Sequence, residues 1–280
     1  MAVTAGDRIC LVGRNGSGKS TLLRIAAGLV QPDAGQHFVQ PGATIRYLPQ
    51  EPDFSAFATT LAYVEAGFDA DAPNRHRALY LLRELGLSGM ESPASLSGGE
   101  GRRAALARTL APAPDILLLD EPTNYLDLEG TVWLENFIAR YRHTVVMISH
   151  DRDLLNRAVD TIVHLDGGKL TLYRGNYDSF DQQRRERQAL QQKAKKKQDE
   201  QRAHLQAFVD RFRYTASKAR QAQSRVKMLE RMQPIAAMAD DTMLPFSFPD
   251  PAKPAAPPII QLEDVSVGYT PGHPVLKKLD

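Results

Sequence analysis

The sequence predicts an α/β domain on an open, mostly parallel β-sheet, carrying a small helical subdomain and followed by an antiparallel helical hairpin. Three observations lead there. Apolar runs at residues 9–12, 116–119, 144–148 and 161–165 have the length and aliphatic content of buried parallel strands. Helix-period segments such as 101–110 and 132–141 lie between them, the alternation expected of an α/β fold. The first apolar run leads directly into Gly13-Arg14-Asn15-Gly16-Ser17-Gly18-Lys19-Ser20, a GxxxxGK[ST] pattern followed by a helical segment at 22–27.

That strand–loop–helix setting is what a phosphate-binding loop requires. Glycines let the backbone turn its N–H groups inward on an anion, and the helix N-terminus adds partial positive charge. Gly13, Arg14, Asn15, Gly16, Ser17, Gly18, Lys19, Ser20 and Thr21 are therefore the expected contacts of a nucleoside triphosphate. Lys19 is placed to reach the β- and γ-phosphates, and the Ser20 hydroxyl to ligate Mg²⁺.

Residues 51–95 depart from the α/β rhythm. A Pro/Phe-rich loop leads into residues 75–87, where Leu79, Leu82 and Leu85 align along one helix, predicting a small helical insertion. Next come Leu96-Ser97-Gly98-Gly99-Glu100 and a basic helix containing Arg102, Arg103 and Arg108. Ser97 is the candidate cap of that helix, and Gly98 and Gly99 permit close backbone approach to an anion. Gly101, early in the helix, costs about 1 kcal/mol of helix propensity and is expected to loosen the first turn. The strand at 116–119 then ends in two carboxylates, Asp120 and Glu121. Ligands bind at the carboxyl ends of parallel strands, so Asp120 is expected to hold Mg²⁺, and Glu121 to orient or deprotonate an attacking water.

Residues 181–233 are rich in Gln, Lys, Arg and Ala and contain no Gly or Pro. Leu205, Phe208, Val209 and Phe212 form one helical stripe; Ala219, Ala222, Val226 and Leu229 form another at heptad-like spacing. An antiparallel hairpin is expected, its first arm from about residue 185 to 213 and its turn at 214–217. Six prolines between positions 245 and 258 read as a stiff linker, and residues 259–280 begin a new strand-rich unit.

Composition narrows the function classes. A length of 280 residues allows one to two domains, and 42% apolar with 24% charged residues is ordinary for a soluble globular chain. No apolar run approaches the ~18 residues of a membrane span, and no signal peptide is legible, so a cytoplasmic protein without membrane contact is expected. The single cysteine, Cys10, excludes an internal disulfide and reads as a small buried residue. Residues 181–233 hold 15 of the 35 basic residues but only 6 of the 33 acidic ones. A mildly acidic globular part thus carries a strongly basic extension, which points to a polyanionic partner.

The Leu96-Ser97-Gly98-Gly99-Glu100 run resembles the signature motif of ATP-binding cassette (ABC) ATPases. Other elements then resemble that superfamily in order. Gln50 in Tyr47-Leu48-Pro49-Gln50 is similar to the Q-loop glutamine, an expected catalytic and Mg²⁺-contacting residue. Leu126-Asp127 is similar to the D-loop, and His150 in Ile148-Ser149-His150-Asp151-Arg152 to the switch histidine. The resemblance implies two cassettes closing head to tail around two ATP molecules, with Ser97, Gly98, Gly99 and Asp127 contacting ATP held by the partner cassette.

The ABC-F branch is also legible. Leu119-Asp120-Glu121-Pro122-Thr123-Asn124-Tyr125-Leu126-Asp127 resembles its LDEPTNHLD run, with Tyr125 where histidine is usual. Tyr173-Arg174-Gly175-Asn176-Tyr177 resembles the YxGNY element leading out of a first cassette, and Lys218-Ala219-Arg220-Gln221-Ala222-Gln223-Ser224-Arg225 the second helix of the interdomain linker. Val265-Ser266-Val267-Gly268-Tyr269 looks like the opening of a second cassette, with Tyr269 matching the adenine-stacking aromatic. The implied organisation is a first cassette at 1–178, a basic hairpin linker at 179–235, a Pro-rich linker at 236–258 and a second-cassette onset at 259–280.

On this resemblance the chain reads as a double-cassette protein trimmed at both ends. Weak ATP affinity is expected, with little turnover unless two chains pair. The implied function is ATP hydrolysis in a translation factor that touches the ribosome, rRNA and tRNA near the tRNA exit site. Arg211, Arg213, Tyr214, Lys218, Arg220 and Arg225 are the candidate RNA contacts. The ATPase subunit of a membrane transporter, a DNA-associated ABC ATPase and an inactive fragment are the alternatives.

Overall fold

The computed structural model describes residues 1–70, 73–212, 218–232, 256–268 and 271–279. They fall into two units, Met1–Ile235 and Ala236–Asp280. In the first unit a six-stranded sheet runs β2 (Ile45–Leu48), β3 (Ile116–Asp120), β4 (Thr144–Ile148), β1 (Arg8–Gly13), β5 (Thr161–Asp166) and β6 (Lys169–Arg174) in spatial order. The first five are parallel, and β6 returns antiparallel from β5 through Gly167 and Gly168.

Both sheet faces are buried, which is why the strands read as continuous apolar runs rather than alternating ones. On one face Ile9, Leu11, Leu118, Val146, Ile148, Val163 and Leu165 pack with Leu23 of α1 (Lys19–Ala26). On the other, Cys10, Leu117, Leu119, Val145, Met147 and Ile162 join the main core with several helices. These include α3 (Arg75–Glu84), α4 (Gly98–Leu110), α5 (Leu128–Arg140) and α6 (Arg152–Ala158).

The helical insertion consists of α2 (Thr60–Glu65), α3 and a single 3₁₀ turn at Pro93–Ser95. Side chains start its helices: Thr59 accepts from the Ala62 N–H and Asn74 from the Arg77 N–H. A ring cluster of Phe54, Phe57 and Tyr63, with the Arg108 guanidinium over the last two, joins it to α4.

Three features depart from the sequence reading. β2 and β6 are too short or too polar to read as buried strands, since β6 is an edge with only Tyr173 buried. The long helix α7 (Tyr177–Phe212) begins eight residues before the expected first arm. Asn156 and Asn176 side chains accept the Asp178 and Ser179 N–H groups and so start α7 early. The first turn of α4 is not loosened at Gly101. A reciprocal Ser97–Glu100 capping box closes it, and a Cβ at Gly101 would lie 3.3 Å from the Phe54 ring, so the missing side chain makes room for packing.

At 1.5 Å per residue the 36-residue α7 is about 54 Å long. Helix α8 (Ala219–Arg231) packs back against its end, where the Arg225 guanidinium lies 3.6 Å from the Phe208 ring centroid. The expected turn at 214–217 lies outside the described residues. In the second unit, β7 (Val265–Val267) and β8 (Leu276–Leu279) form an antiparallel pair.

Candidate functional site

The site grows from the carboxyl ends of β1, β3 and β4. β1 stops at Gly13 and α1 starts at Lys19, leaving the loop 14–18 between them. Gly16 (φ 76°) and Gly18 (φ 98°) adopt left-handed backbone that L side chains resist. Gly13 serves a different purpose: a Cβ there would meet the Leu165 carbonyl of β5 at 2.5 Å. Gly18 offers α1 no side-chain cap, so its first N–H groups are left for an anion. The Lys19 ammonium folds over the loop, donating to the Gly13 and Arg14 carbonyls at 2.9 and 3.0 Å, and is almost fully buried. Arg14, Asn15, Gly16, Ser17, Gly18 and Thr21 are exposed around it.

Asp120 is 1% exposed, yet both carboxylate oxygens accept hydrogen bonds, from Ser20 Oγ at 3.2 Å and from the Tyr47 hydroxyl at 3.1 Å. Burial pushes the Tyr47 phenol above its ordinary range, which keeps it a proton donor to Asp120. Ser20 and Asp120 offer hard oxygen donors, the chemistry Mg²⁺ takes. Among the described residues no cluster of three or more His, Cys, Asp or Glu could hold a metal by itself. One carboxylate and one hydroxyl fit an ion whose remaining ligands are water and substrate phosphate.

Glu121 sits at φ 47°, so the chain turns sharply as it leaves β3, and its N–H donates to the Ile148 carbonyl at the end of β4. That turn aims its carboxylate at His150, whose Nε2 lies 3.2 Å from Oε1. Burial raises the Glu121 pKa, the attraction of His150 lowers it, and Asp120 raises it again; the net direction is upward. A carboxyl of raised pKa beside an exposed imidazole is suited to accepting a proton from water. Gln50 is exposed just beyond β2.

Ser97, Gly98, Gly99 and Asp127 form a second cluster. The Ser97 hydroxyl is held by Glu100 Oε2 at 2.7 Å, and a Cβ on Gly99 would lie 3.0 Å from the Tyr125 carbonyl. Asp127 caps α5 through the Gly130 N–H at 2.8 Å and pairs with Arg103 at 2.8 Å. Tyr125, at φ 65°, leaves its ring exposed beside Gly98.

Sequence reasoning missed Tyr47, Arg102 and Arg103. It placed Arg102 on a basic helix, whereas the structure buries it to 2% exposure, a role with no local sequence signal. Of the candidate RNA contacts, Arg211, Lys218 and Arg220 are exposed at the end of the hairpin, while Arg213 and Tyr214 lie outside the described residues. Arg225 is half-buried against Phe208, so its guanidinium face is spent on hairpin packing. Tyr269 also lies outside the described residues.

The chain is similar to several known proteins. Two family models, each described as ABC transporter, match residues 1–124 and 163–248. The probable ATP-binding protein YheS of Escherichia coli K12 is 40% identical over 301 residues, covering 95% of this chain and 47% of that protein. The human ATP-binding cassette sub-family F member 3 is 35% identical over 309 residues, covering 98% of this chain and 44% of that protein. The chain thus spans about half the length of the relatives it matches. A dimeric structure of the ATP-binding cassette MJ0796 has a TM-score of 0.56 at 26% identity, covering 62% of this chain and 88% of that one. A second structure of that cassette, in a post-hydrolysis state bound to ADP and Pi, has a TM-score of 0.55 at 26% identity and the same coverage. Among the described residues no helix is long and apolar enough to cross a membrane. With the phosphate loop, the Asp120–Glu121 pair, the signature run and these relatives in agreement, the chain belongs to the ABC-F branch of the ATP-binding cassette family.

Proposed function

We propose that the chain is the ATP-binding and ATP-hydrolysing part of an ABC-F protein whose basic hairpin engages ribosomal RNA and tRNA near the tRNA exit site. The observation that carries the enzymatic reading is the convergence of Lys19, Ser20, Asp120, Glu121 and His150 at the ends of three strands. Lys19 exchanges its two loop carbonyls for phosphate oxygens, and the N–H groups of the loop and α1 cradle the same anion. Bound Mg²⁺ supplies charge neutralisation on the phosphates, and Ser20 and Asp120 are the residues to hold it, with Gln50 beside them. Glu121 takes the proton of the attacking water as its oxygen bonds to the γ-phosphorus. The bond to the β-phosphate oxygen then breaks, giving ADP and phosphate. His150 orients Glu121 across their 3.2 Å contact.

Ser97, Gly98, Gly99 and Asp127 are assigned to ATP held by a second cassette, in the same polypeptide or another chain. Residues 1–178 form the first cassette, 179–235 the hairpin linker, 236–258 a Pro-rich linker, and 259–280 the opening of the next cassette. The ribosomal reading rests on the basic charge of α7 and α8, which suits a phosphate backbone.

Ribosome co-sedimentation of Glu121→Gln with ATP and with ADP tests the proposal. The expected result is ATP-dependent pelleting that weakens with added salt, and weakens further when Arg211, Lys218 and Arg220 are neutralised. Absence of pelleting, both here and in a version carrying two complete cassettes, overturns the ribosomal assignment.

A further inference from the structure

The ladder between β2 and β3 ends at Leu48↔Leu119, and one buried arginine continues it. The next register positions are Pro49 opposite Asp120 and Gln50 opposite Glu121. Pro49 has no N–H, and Glu121 turns away at φ 47°, so backbone pairing cannot extend. Arg102, from the first turns of α4, reaches between the diverging chains. Its Nη1 donates to the Pro49 carbonyl at 2.5 Å and the Gln50 carbonyl at 3.1 Å. Its Nη2 donates to the Asp120 and Glu121 carbonyls, each at 2.7 Å. Among the described residues Nε is the remaining buried nitrogen of this side chain without a partner.

Four carbonyls on two loops are thus satisfied by one planar fork. We infer that Arg102 is a positioning residue that fixes Gln50 and Glu121 relative to each other and transmits displacement of α4, and hence of the Ser97–Gly99 run at its N-terminus, to both. The inference rests on the hydrolytic reading above and adds a residue to it. A rigid guanidinium suits the task because its donors keep fixed directions, whereas an ammonium on a flexible stem serves fewer acceptors with no shared plane. Burial lowers the Arg102 pKa, and the Asp120 and Glu121 carboxylates oppose that shift, so the charge is held where it also faces the catalytic pair. The side chain touches no reacting atom. It acts through backbone, where a small misplacement of a catalytic group costs rate rather than affinity.

The test compares the wild-type chain with Arg102→Lys and Arg102→Gln by three measurements: binding of a fluorescent ATP analogue, steady-state phosphate release and hydrogen exchange without nucleotide. The expected outcome for Arg102→Lys is binding and KM within about threefold of wild type, with kcat lower by about 10- to 100-fold. Exchange is expected to rise about tenfold in segments 49–53 and 120–124, with the phosphate loop and β5 unchanged. Arg102→Gln, with fewer donors, is expected to show the larger effect in both. A kcat within twofold of wild type, a uniform rise in exchange, or loss of folding in both variants overturns the inference. Wild-type protein that binds no nucleotide overturns the hydrolytic reading instead, and exchange in the two segments then decides the Arg102 clip alone.

Discussion

His150 Nε2 and Glu121 Oε1 lie 3.2 Å apart, although the two residues leave different strands and only Glu121 is sheltered: its side chain is 13% exposed against 63% for His150. Parallel pairing of β3 with β4 creates the contact. Asp120 sits in register with Ile148, and the left-handed turn at Glu121 then swings its carboxylate toward the chain two residues beyond β4. The pair therefore combines a burial-raised carboxyl with a neighbour that draws it back toward ionisation.

A pH dependence follows. On the proposed role of Glu121 as proton acceptor, which requires the ionised carboxylate, ATP turnover is expected to rise with pH through a range above that of an ordinary carboxylate. His150→Gln removes the lowering influence, so the acid limb of the rate profile is expected to move to higher pH. The stability sign is opposite. A carboxyl whose folded pKa is raised contributes stability below its unfolded pKa and loses it as pH rises through the folded value. Glu121→Gln should therefore melt about 1–3 °C higher than wild type at neutral pH, with no advantage near pH 4. Calorimetric scans at both pH values check this, and a Tm for the variant at or below wild type at neutral pH contradicts it.

Tyr47→Phe deletes one of the two hydrogen bonds that orient Asp120 and leaves the ring volume unchanged. Removing the partner of a metal-binding carboxylate commonly weakens metal affinity about 10-fold or more. The variant is expected to need roughly 10-fold more Mg²⁺ for half-maximal ATP binding, with metal-free nucleotide binding unaltered. Mg²⁺ titration of analogue fluorescence measures both quantities.

Gly13→Ala has no room. Its Cβ would be 2.5 Å from the Leu165 carbonyl oxygen, a backbone atom of the paired strand, so β1 and β5 must move apart. A loss of about 1–3 kcal/mol is expected in denaturant titration. Gly16→Ala meets nothing within 4 Å, and its cost comes from φ 76° alone. A smaller loss, about 1 kcal/mol, is expected there. Equal losses at the two positions would contradict the different reasons given for the two glycines.

Cys10 lies inside the sheet, and burial pushes its thiol up to about 12. Labelling by a thiol reagent at pH 8 is expected to follow the rate of unfolding rather than reagent concentration. Denatured chain should react at the rate of a free cysteine. Rapid labelling of native protein would show that β1 is not held in the sheet.

Arg225→Ala removes the cation that lies over Phe208 between α7 and α8. The pair is worth about 1 kcal/mol where partly buried, so proteolysis of the hairpin should accelerate about 5-fold while the sheet domain keeps its Tm. A lower sheet-domain Tm with unchanged hairpin cleavage would contradict this placement of Arg225.

Much of the molecule was written locally. The phosphate loop was legible because Gly16, Gly18, Lys19 and Ser20 each answer a requirement of the segment they occupy. The buried strands were legible because both sheet faces are covered, which makes their sequences uniformly apolar. Ser97 read correctly as a helix cap because its partner Glu100 is only three residues away.

Tertiary structure alone decided where distant groups meet. Arg102 looks like Arg103 in sequence, yet one is buried against four carbonyls and the other pairs with Asp127 near the surface. Nothing within a turn of either residue distinguishes them, because the acceptors lie 18 to 53 positions away. Tyr47 finds Asp120 across 73 positions for the same reason: β2 pairs with β3 in a register that places the phenol at the carboxylate. Helix, loop and cap preferences act over a few residues, so they are written in the sequence, whereas strand order and helix docking choose partners for polar groups that must not be buried alone.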